Sequence, residues 1–382
     1  MGRLLTDRRS FLKSALATGA YLAAAGGTTA RPAFAAGGLT FASDGESARR
    51  LPPLNVSRER IIRTLVGLRP YRAEGFVLAP ERVGEKVVVH NYGHGGAGMT
   101  LSWGVATLAA EQARNLEDRS VAVIGCGVIG LSTARVLQRR GKSVTVYARE
   151  MPPETTSNLA GALWYPTSVY DTQKVSADFN ERFLLACRLS NREFQTYVGP
   201  DYGVRWIETY TLRTEAEPPG HEPAGGAELY PATHYFTDAR RTFGFPFVRL
   251  FSTMLIEPHT YLRALMRDFH TAGGRIVVRE LKSREEVAAL PERVVFNCTG
   301  LGAKALFGDQ QLTPVRGQIE MLLPQPEPDY CYLANSLYMF PRRDGIVLGG
   351  TFEPDNYSLE PDAKTTVRIV EGHSEIAKGF RR

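Results

Sequence analysis

Apolar residues fall in short runs separated by glycines and polar turns, the pattern of a mixed α/β (α+β) chain. The clearest run, Val121-Ala-Val-Ile124, ends at a glycine and reads as a buried parallel strand. Leu131, Ala134 and Leu137 then share one face of a helix that runs to Arg140, with Gly141 as its cap. Val144-Thr-Val-Tyr147 is a second strand. Upstream, Val105 to Ala110 reads as a helix start behind a glycine-rich stretch. Downstream, Lys282-Ser-Arg-Glu-Glu-Val287 starts a short helix ahead of the apolar strand Val294-Val-Phe296. Residues 214–226, rich in Glu, Pro and Gly, read as an exposed loop, and residues 365–382 carry helical spacing. No internal repeat is present.

The first residues read as an address. Asp7-Arg-Arg-Ser-Phe-Leu-Lys13 precedes a short Ala-rich stretch from Ala15, and Ala33-Phe-Ala35 is a small-x-small cleavage signal. The Arg8-Arg9 pair before Phe11-Leu12-Lys13 resembles a twin-arginine signal. Residues 1–35 are therefore expected to direct export, to a periplasmic or extracellular location, with residues 36–55 as a flexible linker. Cargo of the pathway it resembles crosses already folded. No run of eighteen apolar residues occurs, so membrane contact is expected only during export.

The length of 382 residues suits two interleaved domains. The net charge of +6 owes much to the first fifty residues, and no basic stripe is interleaved with aromatics, so no nucleic-acid partner is expected. Cys126, Cys187, Cys298 and Cys331 have neither zinc nor disulfide spacing.

Gly125, Gly127 and Gly130, flanking Val128 and Ile129, form a G-x-G-x-x-G loop between strand and helix. The first glycine makes the turn, the second lets the backbone approach a pyrophosphate, and the third lets helix pack on strand. Glu150, beside Arg149 at the end of the second strand, is where an acid would bind a ribose. These features indicate a dinucleotide without separating FAD from NAD. Two further segments do separate them. Thr155, Thr156, Ser157, Gly161, Ala162 and Leu163 suit a backbone lying against a flat cofactor. The stretch His90-Asn-Tyr-Gly-His-Gly-Gly-Ala-Gly-Met-Thr-Leu-Ser-Trp-Gly104 sets a glycine-rich loop at a second helix N-terminus. Its amides would stabilise negative charge on a reduced flavin. His90 and His94 lack a third ligand, so no metal is expected.

On these residues the chain resembles the D-amino-acid and D-aspartate oxidases. His90–Gly104 is similar to their flavin signature, and Thr155–Trp164 to their second flavin segment. Asn297-Cys-Thr-Gly300, Ile256–Leu262 and Val315-Arg-Gly-Gln318 match as well. The resemblance implies FAD, held by Gly95, Gly96, Ala97, Gly98, Met99, Thr100, Leu281 and Thr299 together with the residues above. It implies that Arg69, in Gly67-Leu-Arg-Pro-Tyr-Arg72, binds the substrate carboxylate and that the Gly96 carbonyl accepts from the substrate amine. The reaction implied is hydride transfer from the Cα of a D-amino acid to flavin. It yields an imino acid, then a keto acid and ammonia, with oxygen reduced to peroxide.

A Rossmann-like FAD domain is expected over 56–165 and 270–310, with a mixed-sheet substrate domain over 166–269 and 311–360 and a tail at 361–382. In the family the His90–Gly104 segment closes the chain; here it comes first, so residues 56–116 read as a circularly permuted segment. The family's pocket tyrosine aligns with Phe247, leaving Tyr210, Tyr235 or Tyr338 to supply the hydroxyl. An apolar pocket would favour hydrophobic side chains. Alternatives are an amine, glycine or sarcosine dehydrogenase using another acceptor, a non-catalytic flavin module, and an NAD enzyme, against which both flavin segments argue.

Overall fold

Two sheets organise the chain, and their strands follow the apolar runs. The computed structural model describes residues 41–43, 49–217 and 225–380. The expected export signal at 1–35 and part of the expected 214–226 loop lie outside them.

In chain order the strands are β1 (Phe41–Ser43), β2 (Ile61–Tyr71), β3 (Val77–Val83), β4 (Lys86–Tyr92), β5 (Ser120–Ile124), β6 (Ser143–Ala148), β7 (Val204–Arg213) and β8 (His234–Thr237). They continue with β9 (Phe247–Ile256), β10 (Arg275–Val278), β11 (Val294–Asn297), β12 (Thr313–Leu322), β13 (Tyr330–Ala334), β14 (Leu337–Arg342), β15 (Gly345–Gly349) and β16 (Glu353–Pro354). The helices are α1 (Gly98–Gln112), α2 (Val128–Arg139), α3 (Ala177–Gln195), α4 (Arg240–Phe243), α5 (Pro258–Thr271), α6 (Arg284–Ala288), α7 (Gly302–Phe307) and α8 (Ala363–Gly379).

The smaller sheet has the order β10-β6-β5-β11-β4-β3 and is parallel except for the β3–β4 hairpin. Its central strands are buried on both faces, which is why they read as unbroken apolar runs. Side chains alternate between two cores. Val121 and Val123 join Leu131, Ala134 and Leu137 of α2 on one face. Ala122 and Ile124 join Val287, Leu290 and Leu306 on the other. Two helices from the expected substrate domain reinforce the first face. α3 meets α1 so closely that a β-carbon at Gly104 would lie 1.9 Å from the Ala186 carbonyl oxygen. α5 accepts the Gln138 amide from α2 at the Phe269 carbonyl, 2.9 Å away.

The larger sheet runs β1-β8-β9-β7-β13-β14-β15-β12-β16, with β2 on the remaining side of β12. α8, helical as its apolar spacing indicates, covers one face through Ile369 and Ile376. The opposite face carries Leu163, Ile207, Ile319 and Phe340 and looks onto the site.

Two expectations change here. β2 was assigned with the cofactor domain, but it pairs along its length with β12, from Tyr71 opposite Thr313 to Ile61 opposite Leu322. Its partner lies about 250 positions later, and periodicity carries no information about so distant a partner. The expected linker is also packed in its second half. Leu51 and Leu54 are buried in the α8 core, Tyr330 Oη donates to the Pro52 carbonyl at 2.9 Å, and Asn55 N–H donates to Gln325 Oε1 at 2.8 Å. The pairing of β1 with β8 falls in the same stretch.

Candidate active site

The carboxyl ends of the parallel strands open into a cleft of 1280 Å³, walled on its far side by the larger sheet. That exceeds the roughly 300–1,000 Å³ typical of a site for one drug-sized ligand, so a dinucleotide and a small substrate fit together.

The dinucleotide end is built by the β5–α2 turn. Gly125 has φ +106, and a β-carbon there would lie 2.5 Å from the Cys298 carbonyl oxygen. Gly127 is the N-cap of α2, and no acidic residue sits in the helix's first turn. The Val128 N–H donates to Ser157 Oγ at 3.0 Å, which brings the expected hydroxyl loop onto this N-terminus. Such a turn, glycine-lined at a helix N-terminus with no β-carbon in the way, fits a pyrophosphate. Arg149 and Glu150 pair at 3.1 Å at the end of β6, and both line the cleft with Thr155, Thr156, Leu281 and Thr299.

A chain of polar groups fixes Thr299. Its N–H and Oγ1 both donate to Asn297 Oδ1, at 3.2 and 2.7 Å. Asn297 Nδ2 lies 3.0 Å from His90 Nδ1, and His90 Nε2 lies 2.8 Å from Glu81 Oε2. The amide donor assigns the proton to His90 Nε2. Burial holds His90 below its usual range even though Glu81 opposes the shift.

The glycine-rich turn lies at the end of β4. Gly95 has φ +56, and a β-carbon there would meet the Ser168 carbonyl oxygen at 2.1 Å. The same oxygen accepts the Gly96 N–H at 2.9 Å. α1 begins at Gly98 rather than near Val105, so Gly98, Met99 and Thr100 are its first turn and line the cleft. Helical hydrogen bonding overrides the low propensity of those glycines because the turn is packed. α1 has neither a side-chain cap nor an acid in its first turn. Its N-terminal dipole therefore acts on the cleft. His94 is buried and stacks on Phe76 with centroids 5.1 Å apart; burial pushes its pKa down to about 3.

Arg69 lies near the end of β2, beside this turn. Its Nη1 donates to the Thr351 carbonyl at 3.1 Å and to that of Arg316 at 3.4 Å. Among the described residues no carboxylate forms a salt bridge with it. Arg72 instead pairs with Asp309 at 2.8 Å. A β-carbon at Gly96 would stand 3.6 Å from Arg69 Cδ, so the two residues expected to bind substrate are neighbours.

Of the residues expected to hold the cofactor, Gly130 and Ala97 do not line the cleft. A β-carbon at Gly130 would lie 2.0 Å from the Gly125 carbonyl oxygen, so this glycine serves helix packing. Ala97 is fully buried, and its N–H donates to the His94 carbonyl at 3.1 Å. Gly125, Gly127, Ile129, Gly161, Ala162 and Leu163 line it as expected.

Phe247 does not occupy the hydroxyl position. It starts β9, paired with Arg213 and Thr237, and is absent from the cleft. Tyr210 is buried against Phe243 and donates to Glu208 at 3.0 Å, and Tyr235 lies on β8 away from the cleft. Tyr338 lines the cleft, stacked on Phe340 at 4.9 Å and seated on Gly349, where a β-carbon would come within 2.0 Å of its ring. Thr167 and Ser168, which also line it, had no sequence signal, because a left-handed Ser168 (φ +57) is unmarked by residue type.

A family model described as "DAO: FAD dependent oxidoreductase" matches residues 45–112 and 120–379. The chain is 32% identical over 275 residues to a D-amino-acid oxidase of Rubrobacter xylanophilus, covering 68% of this chain and 77% of that protein. It is 27% identical over 266 residues to a human D-aspartate oxidase, covering 67% and 75%. Glycine oxidase from Geobacillus kaustophilus has a similar fold, with a TM-score of 0.52 at 17% identity over 68% of this chain and 79% of that one.

Proposed function

The chain belongs to the DAO family of FAD-dependent oxidoreductases, and on that premise we propose that it oxidises the CH–NH2 group of a D-amino acid. The observation that carries this reading is Arg69. Its guanidinium is held by two carbonyls, has no carboxylate partner among the described residues, and stands beside the glycine-rich turn.

Arg69 takes the substrate carboxylate in a two-pronged bond. The Tyr338 hydroxyl, on the same wall, adds a donor to that carboxylate. Gly96, fixed through its N–H on Ser168, accepts from the amine with its carbonyl. A neighbouring guanidinium disfavours the ammonium form, so the amine binds neutral and its lone pair assists loss of hydride. No side-chain base is needed, and His94 stays neutral. FAD, held by the residues lining the β5–α2 turn and the glycine-rich turn, would supply the acceptor for the Cα hydride, with oxygen taking up the two electrons and two protons as hydrogen peroxide. The imino acid hydrolyses to keto acid and ammonia.

Anaerobic addition of D- and L-amino acids to the purified yellow protein tests this reading. Bleaching with D-amino acids is expected, and flavin that stays oxidised with all of them overturns it. Arg69→Ala should raise the substrate KM roughly ten- to a hundredfold, the weight of a charged hydrogen-bonded pair.

We also read the chain as a circular permutation of the family's order. The support is that β4 and α1 precede β5, while the described ends meet: Pro52 and Phe380 both contact Tyr330, by a 2.9 Å hydrogen bond and a 5.9 Å ring contact. A variant rejoined across those ends and reopened at 113–119 should fold and bind FAD. Failure to do so would count against the reading. Export rests on Arg8-Arg9, and Lys-Lys at those positions should retain the protein in the cytoplasm.

A further inference from the structure

We propose that a second cavity, at the opposite end of the smaller sheet from the cleft, binds a free short-chain carboxylate with an apolar tail. The cavity has a volume of 240 Å³ and lies by the amino ends of β5 and β11, between the last turns of α1 and α2. Close-packed interiors leave few voids larger than a water molecule. One of this size, walled by four elements, is room for a ligand.

The floor is apolar. Val121 and Val294 pair in register across β5 and β11, and with Phe296 and Leu137 they are at most 2% exposed. α1 and its cap offer only Ala110 and Ala113 here, whose small side chains leave the space unfilled. Such a floor favours the hydrocarbon part of a ligand over water.

The rim is cationic. Arg114, Arg140 and Lys142 line it against a single acid, Asp118, among the described residues. Arg114 and Arg140 are exposed, which places them at the opening. Lys142 Nζ donates to the carbonyls of Leu116 and Asp118 at 2.9 and 2.8 Å, and so ties the α1–β5 connection beside the cavity. Arg140 Nη2 donates to Glu111 Oε1 at 2.6 Å. Arg114 forms no salt bridge among the described residues. The end of α2 does not occupy these cations, because backbone answers its last carbonyls. The N–H groups of Arg140 and Lys142 donate to the Leu137 carbonyl at 3.0 and 3.1 Å, and that of Gly141 to the Gln138 carbonyl at 2.9 Å. An apolar floor under a guanidinium rim fits an anion with a hydrocarbon tail.

The volume sets the length of that tail. At about 30 Å³ for each water-sized group, the cavity holds roughly eight heavy atoms, the size of hexanoate. A membrane acyl chain is too long, so the occupant is a free acid.

Calorimetry on the FAD-loaded full chain tests the site with butyrate, hexanoate, decanoate and 1-hexanol. Hexanoate should bind about tenfold tighter than butyrate, as two more buried methylenes require, and decanoate should gain nothing further. 1-Hexanol should bind about threefold more weakly than hexanoate at low salt, with the gap closing in about 1 M salt. Ala110→Leu and Ala113→Leu fill the cavity and lie far from the cleft. Each should abolish this hexanoate binding and leave the flavin spectrum that of the parent, which separates the cavity from carboxylate binding beside Arg69. Arg114→Gln, at an exposed position that folding tolerates, should weaken hexanoate about threefold and leave 1-hexanol unchanged. Absence of saturable hexanoate binding overturns the proposal. So does affinity that climbs through decanoate, equal binding of hexanoate and 1-hexanol at low salt, or hexanoate binding untouched by the cavity-filling variants.

Discussion

The guanidinium of Arg69 lies against Gly317, and a β-carbon at 317 would come within 2.5 Å of both its terminal nitrogens. The glycine on β12 is therefore what lets the guanidinium lie flat across the strand pair.

Gly317→Ala should displace the guanidinium without breaking the sheet, since the colliding atoms end a flexible side chain. The substrate KM should rise about tenfold, the cost of misplacing one orienting group, while the flavin spectrum stays that of the parent. An unchanged KM would refute the contact.

Gly130→Ala meets backbone instead, at 2.0 Å from the Gly125 carbonyl oxygen. Nothing there yields cheaply, so α2 must move off β5. A loss of about 1–3 kcal/mol in unfolding free energy is expected, together with weaker FAD retention. Urea unfolding with parallel absorbance measurements checks both; full stability with full flavin content would contradict the packing role.

Ser157→Ala removes the oxygen that accepts the Val128 N–H. The cost resembles that of losing a helix N-cap, about 1 kcal/mol in the flavin-free protein. If FAD takes over that amide, the loss shrinks in the loaded protein. Thermal melts with and without FAD distinguish the two states, and equal losses would mean that the amide does not face the cofactor.

Burial pushes His94 down to about 3 and His373 down to about 4, from the usual 6.5. Both are neutral when folded and would take up protons once unfolded. Their contribution is therefore complete above pH 6.5 and is lost as pH falls towards 4. At pH 5 each weakens the fold by about 2 kcal/mol. His373 lies between Tyr332 Oη and the Gly349 carbonyl, and His373→Gln keeps a donor for that carbonyl. The drop in urea midpoint between pH 7 and pH 5 should be visibly smaller in His373→Gln. An identical drop would show that His373 does not titrate on unfolding.

The β5–α2–β6 unit was legible because its signals are local: apolar runs, three glycines and a helix face fall within thirty residues. The end of the cleft beside Arg69 was not. Arg69 was picked out by the family resemblance of its Gly67–Arg72 stretch, and its supports, Gly317 and Thr351, come from strands and loops far along the chain. Tyr338 was one candidate among three, and it is the one of them that lines the cleft. The β13–β14 hairpin, turned by a left-handed Asn335 (φ +56), carries it there, and no apolar pattern encodes which way that hairpin faces. The first turn of α1 hid among glycines that packing, rather than propensity, makes helical.

The pairing of β4 with β11 also has a timetable. His90 and Asn297 hydrogen-bond across 207 positions of chain. At about 5–20 residues per second, the ribosome makes β4 wait roughly ten to forty seconds for its partner. Cys298, whose carbonyl walls the Gly125 turn, and Thr299 arrive no earlier. The glycine-rich half of the cleft is thus synthesised long before the floor that closes it. The cleft is therefore incomplete until translation has passed Thr299, and a ribosome halted before Asn297 carries a nascent chain that lacks its floor.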